Sequence, residues 1–296
     1  MRYIFFGSWQ FAAVILGKVI EAGLPPVALV CNLDKPVGRK QIITPPPTKQ
    51  VVERIAHQDI QILQPQKIDE VFDAAIKELN SEFFVIATYG KIIPARTLSI
   101  PPKGTMGIHP SLLPKYRGAS PIQSALLAGE TETGVALFLL DEKVDHGPVI
   151  VERPCEILAT DTNETLIQKL ALLSADLFIE TLPRFVSGIP EARVQDESQA
   201  TLTKKFTPEE GFIGEAILEQ ACAGEDENAA VLIERKIKAL NPEPGVWTFS
   251  TQMMFGTVPV HEKRVKLLGA RLIEHAGKKT LKLMQVHIEG KRPMTI

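Results

Sequence analysis

The chain has 296 residues, 45% hydrophobic and 23% charged, an ordinary globular composition with room for one large domain or two modest ones. A formal net charge of -2 excludes an overall polycation, and no apolar run approaches the roughly 18 to 20 residues that span a bilayer. The opening MRYIFFGS enters a strand-like run directly rather than a basic leader, so a cytoplasmic protein with no membrane partner is the expectation.

RYIFFG (Arg2 to Gly7) is a short apolar run closed by glycine, the pattern of a strand buried on both faces of a parallel sheet. Phe11 to Ala22 has apolar residues at helical spacing and stops at Gly23, and Pro25 to Cys31 reads as a second strand, completing a βαβ unit. The alternation continues with a helix over Thr48 to Ala56, a strand at Ile60 to Leu63, a helix over Ile68 to Leu79 and the buried strand FFVIAT, Phe83 to Thr88. It predicts an α/β fold: a doubly wound, mostly parallel, Rossmann-like sheet with helices on both faces. Between the second strand and its helix, DKPVGRKQIITPPPTKQ holds three consecutive prolines that no helix interior admits. It is expected as a long loop displaying Lys35, Arg39, Lys40 and Lys49.

Farther along, Pro121 to Ala128 is expected as a helix with proline in its first turn. Thr133 to Leu140 and Pro148 to Ile157 read as an antiparallel pair joined by DEKVDHG, and Asn163 to Val186 as a long amphipathic helix. The polar stretch after it is the best linker candidate, which gives domains at 1–190 and 205–296 with a linker over 191–204. The last part changes character: one helix, Ala229 to Leu240, then the strand-like runs VWTFST, TVPVHE, RVKLLGARLI and LKLMQVH. A small OB-like β-barrel is the expectation. From Phe255 to Ile296 nine Lys or Arg stand against three Glu, a local excess of +6, which suits either a polyanion contact or a solvated face. Cys31, Cys155 and Cys222 lack the spacing of a zinc site or a disulfide framework, so they read as ordinary thiols and no metal is expected.

The chain has no GxGxxG after the first strand, no Walker loop, no GxSxG and no HExxH. What remains is His109, opening HPSLLP, and Asp145 in VDHG. A carboxylate beside an imidazole fixes its tautomer and stabilises its protonated form, the usual construction of an acid/base centre. Pattern alone leaves open a packed histidine and an unrelated turn aspartate.

HPSLLPKYRGASPIQSALLAGETETGVALFLLDEKVDHGP resembles the signature region of the 10-formyltetrahydrofolate-dependent formyltransferases, and the likeness runs over nearly the whole chain. MRYIFFGSWQFA is similar to the family's opening strand and loop, and ATYGKIIP to the segment lining its pterin pocket. PVGRKQIITPPPTKQ, KKFTPEEGFI, ALNPEPGVWTF and LKLMQVHIEGKRPM resemble the branch that acts on methionyl-tRNA. The resemblance implies formyl transfer from 10-formyltetrahydrofolate, the co-substrate, to the methionine amine of initiator tRNA, by a monomer. It implies that His109 polarises the formyl oxygen and shuttles protons, with Asp145 orienting it. It places folate contacts at Thr88, Tyr89, Gly90, Ile92, Ser111, Leu112, Leu113, Pro114 and Asp141. It places tRNA contacts at Lys35, Arg39, Lys40, Lys49, Arg117, Lys263 and Arg264.

In the family an asparagine two residues before the histidine donates to the formyl oxygen; here that position holds Gly107. Losing one oxyanion donor typically costs about 10² to 10³ in rate. A backbone N–H freed by glycine, a water, His146 or Gln123 could replace it. The alternatives are a non-catalytic tRNA- or folate-binding homologue, a 10-formyltetrahydrofolate hydrolase, or an amino-sugar N-formyltransferase. Replacing Gly107 by Asn is expected to change the rate without disturbing the fold.

Overall fold

The computed structural model describes residues 1–38, 40–55, 59–188, 191–250, 263–275 and 277–296. They fall into two compact units, each discontinuous in sequence: Met1–Gly118, Glu132–Glu156 and Ile167–Leu202 in the first, Ala119–Thr131, Ile157–Leu166 and Thr203–Ile296 in the second. The principal helices in chain order are α1 (Gln10–Glu21), α2 (Pro47–Ile55), α3 (Glu70–Lys77), α4 (Pro121–Ala128), α5 (Asn163–Ser187), α6 (Glu215–Ala223) and α7 (Glu227–Leu240).

The first unit is built on seven strands: β1 (Tyr3–Phe6), β2 (Ala28–Val30), β3 (Gln61–Leu63), β4 (Phe83–Ile86), β5 (Thr105–His109), β6 (Glu132–Leu139) and β7 (Val149–Glu156). Their order in the sheet is β7-β6-β5-β4-β1-β2-β3. The first five run parallel, whereas β6 is antiparallel to β5 and β7 to β6. Every side chain of β1 is buried, because helices cover both faces. On one face Tyr3 stacks on Phe83 at 5.2 Å and meets Phe178 of α5 edge-on at 6.0 Å. On the other, Phe6 packs against Phe72 of α3 and against Tyr89. Asp69 starts α3 by accepting a hydrogen bond from the Phe72 N–H.

The mostly parallel α/β sheet is therefore as the sequence predicts, with local differences. The strand expected through Thr88 ends at Ile86, because Thr88 turns the chain with a φ of 43° and Gly90 follows at 79°. The proline-rich loop contains a small hairpin, Lys35–Val37 paired with Ile42–Thr44. Arg39 lies outside the described residues, as does Ala56, the expected end of α2.

In the second unit an antiparallel sheet holds β8 (Trp247–Ser250), β9 (Lys263–His275), β10 (Lys278–Ile288) and β11 (Met294–Thr295) in that order. Val265, Leu267, Leu281, Val286 and Ile288 are buried, while Lys266 and Lys282 face out, the alternation of a sheet with one solvated face. The run TVPVHE lies outside the described residues. Helix α4 ends at Gly129, whose φ is 74°, and the Ala128 carbonyl accepts a hydrogen bond from Arg235 of α7 at 3.1 Å. Among the described residues no helix is long and apolar enough to cross a membrane.

Candidate active site

His109 is the last residue of β5 and is 5% exposed. Its Nε2 lies 2.9 Å from the carbonyl oxygen of Tyr116. A carbonyl can only accept, so this contact assigns a proton to Nε2. Its Nδ1 lies 3.5 Å from Oδ2 of Asp145, an ion-pair distance rather than a hydrogen bond. The same carboxylate oxygen accepts from the Gly118 N–H at 2.8 Å. Because β6 is antiparallel to β5, it ends with Leu139 beside Met106; the β6–β7 loop folds back from there to bring Asp145 to His109. The arrangement is that of an imidazole held by main chain on one side and facing a carboxylate on the other.

Gly107 is no flexible turn. It sits inside β5, in register with Ile86 on one side and Phe138 on the other. A Cβ added there would lie 2.5 Å from Cζ of Phe138 and 2.6 Å from Cδ1 of Leu140. The aromatic ring fills the space that a side chain at 107 would need, which corrects the expectation that asparagine fits without disturbance.

Both side chains considered as replacement donors are engaged elsewhere. His146 places Nδ1 2.5 Å from Oδ2 of Asp141 and Nε2 3.5 Å from Oε1 of Glu197. Gln123 belongs to the second unit, where its Nε2 donates to the Glu243 carbonyl at 2.9 Å.

Thr88, Tyr89, Gly90 and Ile92 occupy the loop after β4, and Ile92 is 94% exposed. The Thr88 and Tyr89 hydroxyls are buried with no hydrogen-bond partner among the described residues, and burial pushes the Tyr89 phenol up to about 12. Ser111, Leu112, Leu113 and Pro114 follow β5, with the Ser111 hydroxyl donating to the Lys115 carbonyl at 2.6 Å. Asp141 accepts from the Lys143 N–H at 2.8 Å.

Lys35, Lys40 and Lys263 are exposed. Lys49 is tied to Asp34 at 2.8 Å, and Arg264 lies over the Trp247 ring at 4.1 Å. Arg117 is buried and bonded to Gln195 and Glu197. Gln195 itself was not singled out by sequence: it sits 78 residues from Arg117, in a stretch that reads as linker.

A mostly parallel sheet extended by an antiparallel hairpin, with a buried histidine facing a loop carboxylate, defines the class: an α/β protein carrying an arrangement of the kind that can hold and pass a proton. Residues 1–182 match the model of the formyl transferase family, and the chain belongs to that family. It is 39% identical over 250 residues to the methionyl-tRNA formyltransferase of Chloroflexus aurantiacus, covering 84% of this chain and 76% of that one. Identity to the enzyme of the same name from Chloroflexus aggregans is 35%, covering 100% of this chain and 95% of the relative.

Among solved structures, the methionyl-tRNA formyltransferase of Clostridium thermocellum matches with a TM-score of 0.56 at 16% identity, over 97% of this chain and 98% of that one. HypX from Aquifex aeolicus, in complex with tetrahydrofolic acid, matches with a TM-score of 0.63 at 17% identity; this chain is covered in full and spans 46% of HypX. These structural likenesses show the fold alone.

Proposed function

We propose that the protein transfers a formyl group from 10-formyltetrahydrofolate to the amine of methionine on initiator tRNA. The observation that carries this reading is identity of 35% to 39% to curated methionyl-tRNA formyltransferases over 84% to 100% of the chain, C-terminal residues included. A folate-type donor is supported by the family and by the folate bound to HypX. Within this reading residues 1–190 form the catalytic domain, 191–204 the linker and 205–296 the tRNA-binding domain.

The reaction requires an amine to attack the formamide carbon, charge to develop on the formyl oxygen, a proton to leave the attacking nitrogen, and the bond from the formyl carbon to N10 to break with a proton delivered to N10 of the departing tetrahydrofolate. His109, already protonated at Nε2, takes the second proton at Nδ1, and Asp145 stabilises the resulting imidazolium. The protonated ring is then the group on hand to answer charge on the oxygen, because Gly107 offers no side-chain donor. Labelled formyl donor incubated with charged initiator tRNA tests the reading. Label on the tRNA is expected; label in free formate alone would make the protein a hydrolase, and binding without turnover would make it a non-catalytic homologue. The amino-sugar alternative draws less support, since the relatives at 35% to 39% identity are methionyl-tRNA formyltransferases, whereas the amino-sugar N-formyltransferase from Helicobacter canadensis shares 16% identity.

A further inference from the structure

The contacts that define the His109–Asp145 pair come from backbone in an uncommon conformation. Tyr116, whose carbonyl holds the ring, has a φ of 59°, Gly118, whose N–H holds the carboxylate, a φ of 109°, and Asp145 itself a φ of 48°. A left-handed conformation at a non-glycine residue is strained and persists only where its surroundings over-determine it. Here one segment holds both loops. The Gln195 amide nitrogen donates to the carbonyls of Asp145 at 2.9 Å and Gly147 at 2.7 Å. Its Oε1 accepts from Arg117 Nε at 3.0 Å and Nη2 at 2.8 Å. Arg117 also donates to Glu197 at 2.6 and 3.1 Å. Thr201 Oγ1 accepts from the Tyr116 N–H at 2.7 Å, and its carbonyl from the Arg117 N–H at 2.9 Å. Gln195 and Arg117 are both buried, so the bonds between them and the one from Gln195 to the Gly147 carbonyl are shielded from water.

We infer that Gln195 and Arg117 are positioning residues that set the separation of His109 and Asp145. The inference rests on the reading of that pair as the proton-handling centre. The Gln195 side chain is saturated: both donors go to the Asp145 loop, and its oxygen takes two bonds from the loop that holds His109. Arg117 then acts inside the protein, through Gln195, rather than on a phosphate.

The test is steady-state formyl transfer by the full chain with three variants. Gln195→Glu keeps the acceptor for Arg117 but turns an oxygen toward the Asp145 and Gly147 carbonyls. Misplacement of reacting groups by about 1 Å costs about 10²-fold, so kcat is expected to fall between roughly 10- and 100-fold with KM for folate and tRNA unchanged. Arg117→Lys, which keeps the charge but loses the planar fork, is expected to lower kcat in the same way. His109→Ala is the reference for the centre itself. A wild-type kcat in Gln195→Glu beside an inactive His109→Ala would overturn the positioning role alone. Full activity in His109→Ala would remove the centre and the inference with it. A raised KM for tRNA with unchanged kcat in Arg117→Lys would return Arg117 to the tRNA interface. Should Gln195→Glu fail to fold, Gln195→Met, which deletes the donors without adding charge, supplies the same comparison.

Discussion

At Gly107 an added Cβ would stand 2.5 Å from Cζ of Phe138, so asparagine has no room until that ring moves. Overpacking a filled site costs about 1 to 3 kcal/mol, and Gly107→Asn alone is expected to lose about that much in urea unfolding. The pair Gly107→Asn/Phe138→Leu is expected to recover part of it, with a coupling of roughly 0.5 to 3 kcal/mol, and to be the variant in which the restored amide alters turnover. A single variant as stable as the parent would show that the ring is no obstacle. On the proposal that His109 and Asp145 act on one proton, His109→Ala and Asp145→Asn should each remove most of the activity and the double variant little more. Losses that multiply in the single-turnover rate would show independent roles. The family resemblance singled out both residues, but not Phe138, which meets Gly107 only across the β5–β6 ladder.

The segment after β2 shows how an element can be held by charge as well as by packing. Lys49, in the first turns of α2, donates to both Asp34 oxygens at 2.8 and 3.0 Å and to Gln64 Oε1 at 3.0 Å. Hydrogen bonds from Lys49 and Gln64 hold the Asp34 carboxyl below its ordinary value, and the bond to Asp34 holds the Lys49 ammonium above its own. A depressed carboxyl stabilises the fold above its unfolded value, about 4, and loses that contribution as pH falls through the folded value. A raised ammonium contributes below about 10.4 and loses it as pH rises through the folded value. Amide exchange across residues 32–38 and 40–49 is therefore expected to accelerate below about pH 4, and Asp34→Asn to remove that step. An identical acid response in the variant would show that this tether carries none of it.

Elements were legible where burial was heavy. β1 and β4 are apolar runs because both of their faces are covered. The hairpin at Lys35–Val37 and Ile42–Thr44 is mostly exposed, so no alternation betrays it. Helix α6 buries only Leu218 and Ala221 and begins at Gly214 without a side-chain cap, a stripe too thin to read. The bracket around Asp145 was illegible for another reason: its partners are separated by dozens of residues, and no local spacing encodes them.

Across the whole molecule the net charge is small, yet cations gather on the C-terminal sheet. Lys266 and Lys282 are exposed, and Arg271 stands opposite Lys282 in register, a like-charge pairing that is unfavourable without a counter-anion. With tRNA as the anion, Lys266→Glu/Lys282→Glu is expected to weaken binding and to flatten the dependence of log affinity on log salt, by about 0.7 to 0.9 for each phosphate no longer neutralised. Unchanged affinity and slope would place the tRNA on another face. The discontinuous units also bear on synthesis at the ribosome. Helix α4 is made early, but its unit is completed only by Ile157–Leu166 and Thr203–Ile296, so the bond between its Ala128 carbonyl and Arg235 has to wait until α7 emerges. His109 and Asp145 likewise leave the tunnel well before Gln195, so on the inferred role of that glutamine the pair takes its working separation only once residue 195 has emerged.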